Sequence, residues 1–120
     1  KDWTMCASID GIGEIGEFIR TGLNWEQWDI NFREGVALPG GHDKMLMDLT
    51  LTGPGMFGLK DLFDYALELD VKIETKRMFA FHDDIVMSPM AWPRHILDRI
   101  INENLDYIRP RATQKQETVA

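Results

Sequence analysis

The chain lacks the features that several functional classes require. Its single cysteine, Cys6, excludes an internal disulfide and a zinc site built from cysteines, and it is compatible with a reducing compartment. With 13 Lys and Arg against 20 Asp and Glu, the net charge of -7 argues against sequence-independent binding to nucleic acid or to anionic membranes. No apolar run approaches the roughly 20 residues that span a bilayer, and no signal-peptide pattern opens the chain. We therefore expect a cytoplasmic protein that binds neither nucleic acid nor membrane.

The length and composition are those of one folded domain. A chain of 120 residues can bury a core of its own, and 44% hydrophobic with 28% charged residues is typical of a soluble globular domain. We assign residues 1–109 to this domain and the polar residues 110–120 to a C-terminal tail, because that segment has no means of burying itself. The first residue is Lys1 rather than methionine, so we expect a trimmed or processed chain.

The sharpest structural signal is a change of apolar spacing within residues 59–78. The apolar residues first recur at helical intervals, at Leu59, Leu62, Phe63, Ala66 and Leu69. Then Val71, Ile73 and Thr75 alternate with charged residues, as in a strand with one wet face. A helix that leads into a strand is the building unit of an α/β sheet. We expect this strand to be short and to lie at or near an edge of the sheet.

The same reasoning extends the alternation to the rest of the domain. It predicts strands over residues 3–9, 25–32 and 107–109 and helices over residues 11–23 and 93–105. Residues 42–51 fit a short strand or one and a half turns of helix, and we interpret them as part of an irregular excursion over the sheet. We expect the apolar first strand to be buried with a neighbour on each side, which would make Cys6 an inert buried side chain. The predicted fold is therefore α/β, with a small parallel or mixed sheet of about four strands and helices on both faces.

A glycine motif follows the first predicted strand. Gly11, Gly13 and Gly16 match the G-x-G-x-x-G pattern at the start of a predicted helix, where the dinucleotide fingerprint requires it. Amide donors and the helix N-terminus would then receive a pyrophosphate. Three acids, Asp10, Glu14 and Glu17, crowd the position where the phosphates would sit. The alternative is a glycine-rich turn that lets the helix pack tightly on the strand.

Histidines beside acids are the other candidates for chemistry. The pairs are His42 with Asp43, His82 with Asp83, and His95 with Asp98. Imidazole and carboxylate together bind transition metals, but the chain has no H-x-x-x-H or E-x-x-H helix pair, so we predict no metal site. His82 and Asp83 form the predicted catalytic pair, since His82 follows the end of a strand and is suited to proton transfer. Whether His42, His82 and Asp83 share one site stays open.

One segment carries a resemblance to a known family. The sequence GMFGLKDLFDYALELDVKIETKRMFAFHDDI, residues 55–85, resembles the second half of the DsrE/DsrF/TusD sulfur-relay family, in which an amphipathic helix of the form xLxxLxxxAxxLGV leads into a strand. The resemblance covers about a third of the chain and implies a flavodoxin-like fold that assembles into oligomers. Where the family has its persulfide-carrying cysteine, this chain has Thr75, Lys76, Arg77 and Met78. Persulfide transfer needs a thiolate, so the resemblance does not imply that activity here.

These observations favour an accessory or structural subunit. Four Trp, six Phe and seven Met are more large apolar side chains than a small core requires, which suggests contacts with itself or with other protein subunits. Two alternatives stay open. One is a small enzyme at the carboxyl edge of the sheet, using Asp10, Glu14, Glu34, His82 and Asp83. The other is a nucleotide-binding module at residues 11–16. The sequence fixes neither a substrate nor a cofactor, a partner or the number of subunits.

Overall fold

A parallel sheet of three strands forms the centre of the molecule. The computed structural model describes residues 2–77 and 87–113, and the statements about structure below concern those residues. The strands are β1 (Met5–Ile9), β2 (Met45–Leu51) and β3 (Lys72–Arg77), in the spatial order β1-β2-β3. The predicted α/β class is confirmed. In the described part of the chain the sheet has three strands rather than about four, and β3 lies at an edge as predicted.

Five helices connect and flank these strands. They are α1 (Gly13–Ile19), α2 (Trp25–Ala37), α3 (Gly41–Lys44), α4 (Leu59–Leu69) and α5 (Arg94–Ile108), with 3-10 turns at Pro54–Gly58 and Pro89–Ala91. The Asn24 side chain caps α2 by accepting a hydrogen bond from the backbone N–H of Gln27 at 3.0 Å. Helix α4 ends at Asp70, whose φ of 54° is left-handed. Among the described helices, none is long and apolar enough to cross a membrane.

Helix α2 replaces a predicted strand over residues 25–32. The alternation of Trp28, Ile30 and Phe32 indicated a strand, but Trp25, Trp28 and Phe32 also fall at i, i+3 and i+7, which is the spacing of one helical face. In the structure these three rings stack, with centroid distances of 5.3 Å from Trp25 to Trp28 and 4.8 Å from Trp28 to Phe32. The helical pattern prevails because it brings all three rings to one side of the helix and buries Phe32 in the core.

Four further predictions are corrected. Residues 42–51 do not form an irregular excursion, because they contain the end of α3 and the whole of the central strand β2. Residues 107–109 were predicted as a strand, but α5 continues to Ile108. Within the described residues β1 pairs only with β2, so it has one neighbour rather than two. Cys6 on β1 is accordingly exposed and not buried.

One face of the sheet, called here the covered face, packs against the helices. Strand β2 contributes Met45, Met47 and Leu49 to the core, each at most 5% exposed. The other members of the same core cluster come from β1, α2, α4 and the β3 region: Ile9, Phe32, Leu62, Phe63, Tyr65, Ala66, Val71 and Ile73. The Tyr65 ring of α4 lies 6.2 Å from the Phe32 ring of α2, so the two helices meet over one face. Helix α5 packs beside α4, and its residues Tyr107 and Ile108 contact this cluster.

The opposite face, called here the uncovered face, carries no helix of residues 2–77 and 87–113. The register aligns two rows of side chains on it, which are Cys6, Leu46 and Lys72 in one row and Ser8, Asp48 and Glu74 in the other. The members on the two outer strands are exposed apart from the half-buried Lys72, and those on β2 are half-buried. Parallel sheets normally have both faces covered, and this expectation underlies the prediction of helices on both faces. Within residues 2–77 and 87–113 that prediction does not hold, because the helices lie on the covered face.

Candidate ligand site at the carboxyl edge

The segments that follow the three strands converge on one cleft. Parallel strands end at a common edge, and ligands of open α/β sheets bind beyond that edge. Here the cleft has a volume of about 750 Å³ and is called the carboxyl-edge cleft. Its lining residues come from α1, from the turn after β2 and from the segment that precedes α5: Glu14, Ile15, Phe18, Pro54, Phe57, Met87 and Trp92. The cleft thus combines two residues of the glycine motif, Glu14 and Ile15, with the turn after β2 and the segment before α5.

Backbone hydrogen bonds hold the walls of the cleft in place. The N–H of Gly53 donates to the carbonyl of Met87 at 2.7 Å, which joins the turn after β2 to the segment before α5. The buried Thr52 hydroxyl accepts from the N–H of Gly55 at 3.0 Å, so the start of that turn is fixed as well. Gly53 has no room for a side chain, because a Cβ there would clash with the Trp92 indole. These bonds make the cleft a preformed feature of the fold.

Most of the cleft surface is aromatic or aliphatic. Phe18 is 75% exposed and Phe57 is 47% exposed, so both present open ring faces. The Phe57 and Trp92 rings meet edge to face at 5.2 Å between centroids. Glu14 is the one charged side chain among the described lining residues, and it is exposed. The site therefore offers apolar contact area with a single negative charge.

The indole N–H of Trp92 is the one buried side-chain polar atom without a hydrogen-bond partner among the described residues. Burial of an unpaired donor costs about 1–3 kcal/mol, and most such groups in folded proteins find an acceptor. A Cβ on Gly53 would clash with this nitrogen, so the indole N–H packs against the turn after β2 and the rest of the ring lines the cleft.

Asp10 lies at the end of β1 but is not a free base. It is 7% exposed, and its Oδ2 accepts from Arg20 Nε at 2.7 Å. This ion pair ties the end of β1 to the residue that follows α1. The predicted catalytic role of Asp10 is untested, and the structure gives the residue a structural partner.

The three glycines of the motif have separate local roles. A Cβ on Gly16 would clash with the backbone carbonyl of Gly11, so the turn and α1 pack too closely for a side chain. Gly13 has φ of 59°, the left-handed region that glycine adopts at no steric cost. Helix α1 has only seven residues. Close packing accounts for Gly16 and for Gly11, where a Cβ would lie 3.0 Å from the Ile15 side chain, and backbone conformation accounts for Gly13. Nucleotide binding through these glycines stays a prediction.

Of the predicted acids and histidines that the structure describes, Asp10 and Glu14 lie at this edge, whereas Glu34, His42 and His95 do not line the cleft. His42 and Asp43 lie on α3, which immediately precedes β2 and so belongs to the opposite edge of the sheet. Glu34 lines a different groove, together with the first residues of β1 and β2. The predicted pair His82 and Asp83 lies outside the described residues. His95 is exposed on α5.

No group of three or more His, Cys, Asp or Glu side chains that fits a metal ion occurs in residues 2–77 and 87–113.

Sequence reasoning missed the aromatic and apolar walls of the cleft. Phe57, Met87 and Trp92 were not singled out, because an isolated apolar residue in a connection carries no periodic signal. Their positions gave a usable hint. Phe57 follows the glycine and proline turn after β2, and Trp92 directly precedes Pro93 at the start of a helix, so both belong to connections after strands.

A polar network outside the cleft joins α2 to α4. Asp29 accepts hydrogen bonds from the Tyr65 hydroxyl at 2.6 Å and from Arg33 Nε at 2.7 Å, and Arg33 also reaches Glu68 at 3.4 Å. Burial raises the pKa of Tyr65, and the hydrogen bond to Asp29 raises it further. The Arg33 guanidinium also makes a cation–π contact with the Tyr65 ring, at 5.1 Å from the ring centroid. Together these contacts hold α2 against α4 on the covered face of the sheet.

Comparisons of the chain with family models, with curated proteins and with solved structures found no match.

Proposed function

We propose that this protein binds a small molecule in the carboxyl-edge cleft, in the manner of β/α enzymes. The observation that supports this most directly is the common cleft formed by segments following β1, β2 and β3. In β/α folds the connections at this edge carry the functional residues, while the opposite edge serves stability. A preformed apolar pocket with a few polar groups is also the usual form of a ligand site.

The chemistry of the lining residues selects the class of ligand. Glu14 favours a cationic group, and the overall charge of -7 adds to that preference. Phe18, Phe57 and Trp92 favour an aromatic or aliphatic body. The ligand we propose is therefore an apolar amine. A phosphorylated ligand fits less well, because Glu14 would oppose its charge.

Nuclear magnetic resonance gives a direct test with phenethylamine as the probe. We expect phenethylamine to shift the backbone amides of Glu14 and Phe57 and the indole N–H resonance of Trp92. The indole resonances of Trp25 and Trp28, whose rings contact α4 on the covered face, serve as internal controls and should not move. Phenylacetate, which replaces the amine by a carboxylate, should bind more weakly because of Glu14.

Two variants sharpen this test. Glu14→Gln should weaken phenethylamine binding by about fivefold, since one charge-assisted contact is worth roughly 1 kcal/mol at an exposed position. Glu26→Gln changes an exposed acid on α2 outside the cleft and should leave the affinity unchanged. Equal binding of phenethylamine and phenylacetate, or no resonance shifts in the cleft with either compound, would overturn the proposal.

A second candidate function, that of a subunit in a larger assembly, is favoured by the uncovered face. Parallel sheets are usually covered on both faces, and a partner protein that packs on the uncovered face would supply the second cover. The resemblance to the sulfur-relay family also suggests a subunit, without persulfide transfer, although the flavodoxin-like fold that it implies has a different strand order from the sheet of the described residues. The strand order β1-β2-β3, with α2 and α4 over one face, fits a singly wound β/α arrangement of the barrel type better than a doubly wound one. Light scattering that finds a monomer under all conditions would argue against this candidate.

A further inference from the structure

We propose that the ligand of the carboxyl-edge cleft carries a methylated amine, a quaternary ammonium attached to an aromatic or aliphatic body. The inference rests on the proposed function and narrows its ligand class from amines in general to amines without N–H groups. Two features of the lining residues support it, which are the small number of hydrogen-bond acceptors and the presence of three aromatic rings.

The lining side chains offer few acceptors for the N–H groups of a primary amine. Among the described lining residues, Glu14 alone has side-chain oxygens. The indole N–H of Trp92 is a donor, and it packs against the turn at Gly53. A primary ammonium carries three N–H donors, and each donor that leaves water without finding an acceptor costs free energy. A quaternary ammonium carries the same charge without any donor, so it avoids this cost.

The aromatic rings of the cleft are arranged to contact a cation from more than one direction. The planes of Phe57 and Trp92 are inclined at 72°, with 5.2 Å between the ring centroids, so the two rings form a corner of the cleft wall. Phe18 is 75% exposed, which leaves most of its ring surface available to a ligand. The face of an aromatic ring attracts a cation, and proteins recognise quaternary ammonium groups by surrounding them with such rings.

The packing of α1 on the turn after β2 brings the acid and the rings to the same space. A Cβ on Gly58 would lie 2.7 Å from Ile15 Cδ1, so α1 rests closely on the turn that carries Phe57. Glu14 and Phe18 are four residues apart on α1, which places them on one face of this helix. A cation held by the rings is therefore on the same side of α1 as the Glu14 carboxylate, which attracts it without a hydrogen bond.

Titrations with two probes that differ only in three methyl groups test the inference. The probes are phenethylamine and its N,N,N-trimethyl derivative. The resonance shifts of the Glu14 and Phe57 amides and of the Trp92 indole N–H give a dissociation constant for each probe. We expect the trimethyl compound to bind at least about fivefold more tightly, because it contacts the rings and has no N–H groups to remove from water.

Variants show whether the rings are the source of this preference. The double variant Phe18→Leu, Phe57→Leu keeps apolar side chains but removes two rings, so the ratio of the two dissociation constants should fall below about twofold. The two residues are 75% and 47% exposed, so the fold should tolerate the change. Trp3→Leu is the control, since it removes a ring that lines the groove of Glu34, and it should leave the ratio unchanged.

The charge of the cleft is tested separately. Glu14→Gln should weaken phenethylamine binding at least as much as binding of the trimethyl compound, because only phenethylamine donates a hydrogen bond to the carboxylate. Circular dichroism checks that each variant is folded. If the double variant does not fold, Phe18→Leu alone gives the same test with a smaller reduction of the ratio.

The outcomes distinguish this inference from the proposed function. Binding of phenethylamine in the cleft without a preference for the trimethyl compound would overturn the inference and leave the proposed function intact. A preference that survives in the folded Phe18→Leu, Phe57→Leu variant would also overturn it, since apolar contact rather than the rings would then be the source. If neither compound shifts the resonances of the cleft, the proposed function fails and this inference fails with it.

Discussion

The two faces of the sheet are built from alternate residues of the same strands and yet differ in kind. On β2, Met45, Met47 and Leu49 point to the covered face and are buried, whereas Asp48 and Thr50 lie on the uncovered face and are half-buried. A parallel strand covered on both sides reads as a continuous apolar run. The sequence MLMDLTL alternates from its third residue onward, and this alternation marks a parallel strand with one open face. The comparison shows that a parallel sheet in this chain does not need apolar residues on both of its faces.

The largest effect should come from the covered face. Met47 is fully buried at the centre of the sheet, and replacing it with alanine leaves a cavity under α2 and α4. We expect Met47→Ala to lower the free energy of unfolding by roughly 2–5 kcal/mol. Urea denaturation followed by circular dichroism measures this loss.

Thr50→Ala is the control on the uncovered face of the same strand. The residue is half-buried, and truncation there removes little packed surface. The expected cost is within about 0.5–1 kcal/mol. If Thr50→Ala proves as costly as Met47→Ala, the uncovered face is packed against something in solution, and the contrast between the faces is lost.

A pH-dependent effect of intermediate size is expected at Tyr65, on the covered side. The folded state raises the pKa of Tyr65 through burial and through the hydrogen bond to Asp29. Its contribution to stability is therefore complete below the unfolded-state pKa of about 10 and is lost as the pH rises toward the folded-state value. Tyr65→Phe should cost roughly 1–2 kcal/mol at neutral pH, through loss of that hydrogen bond.

The difference between wild type and Tyr65→Phe should then shrink above pH 10, by up to about 1.4 kcal/mol per pH unit. The other tyrosine, Tyr107, donates to Asp64, which also raises its pKa, but both proteins retain it and its effect cancels in the difference. Urea unfolding at several pH values between 8 and 11 gives the measurement. A difference that stays constant with pH would show that Tyr65 titrates alike in the folded and unfolded states.

The part of the fold that sequence predicted best is the segment from α4 to β3. Its two periodicities are unambiguous, since Leu62, Phe63 and Ala66 mark one helical face and Ile73 begins an alternating strand. The strand prediction for residues 25–32 was wrong because the apolar residues there contain two patterns, an alternating one at positions 28, 30 and 32 and a helical one at positions 25, 28 and 32. The deciding contact there is with Tyr65, 40 residues beyond Trp25 along the chain, and a local pattern does not contain it.

The candidate site was less accessible to sequence reasoning than the fold. Glu14 was named because it sits in a motif, and the structure places it in the cleft. Trp92 and Met87 join it only because the turn after β2 hydrogen-bonds to the segment before α5, a contact between Gly53 and Met87 separated by 34 residues. Conversely, Glu34 and His42 were considered for sites because of their type and spacing, but they lie toward the opposite edge of the sheet. To assign Glu34 and His42 to an edge of the sheet, one must know that residues 25–37 form a helix and that residues 45–51 form the central strand. The sequence predicted a strand over residues 25–32, and it did not identify β2.

The smallest perturbation uses the single cysteine as a probe of the uncovered face. Cys6 is exposed on β1, so its thiol should react with a chromogenic disulfide reagent at a rate within about tenfold of that in the urea-unfolded chain. The matched variant Met47→Cys in a Cys6→Ser background places the only thiol on the covered face, where reaction requires local opening and should be slower by roughly 100-fold or more. Both rates are measured at low protein concentration, so that self-association does not protect either thiol. Slow reaction of native Cys6 under these conditions would mean that some part of the chain lies over the face, and the sheet would then be covered on both sides as the sequence first predicted.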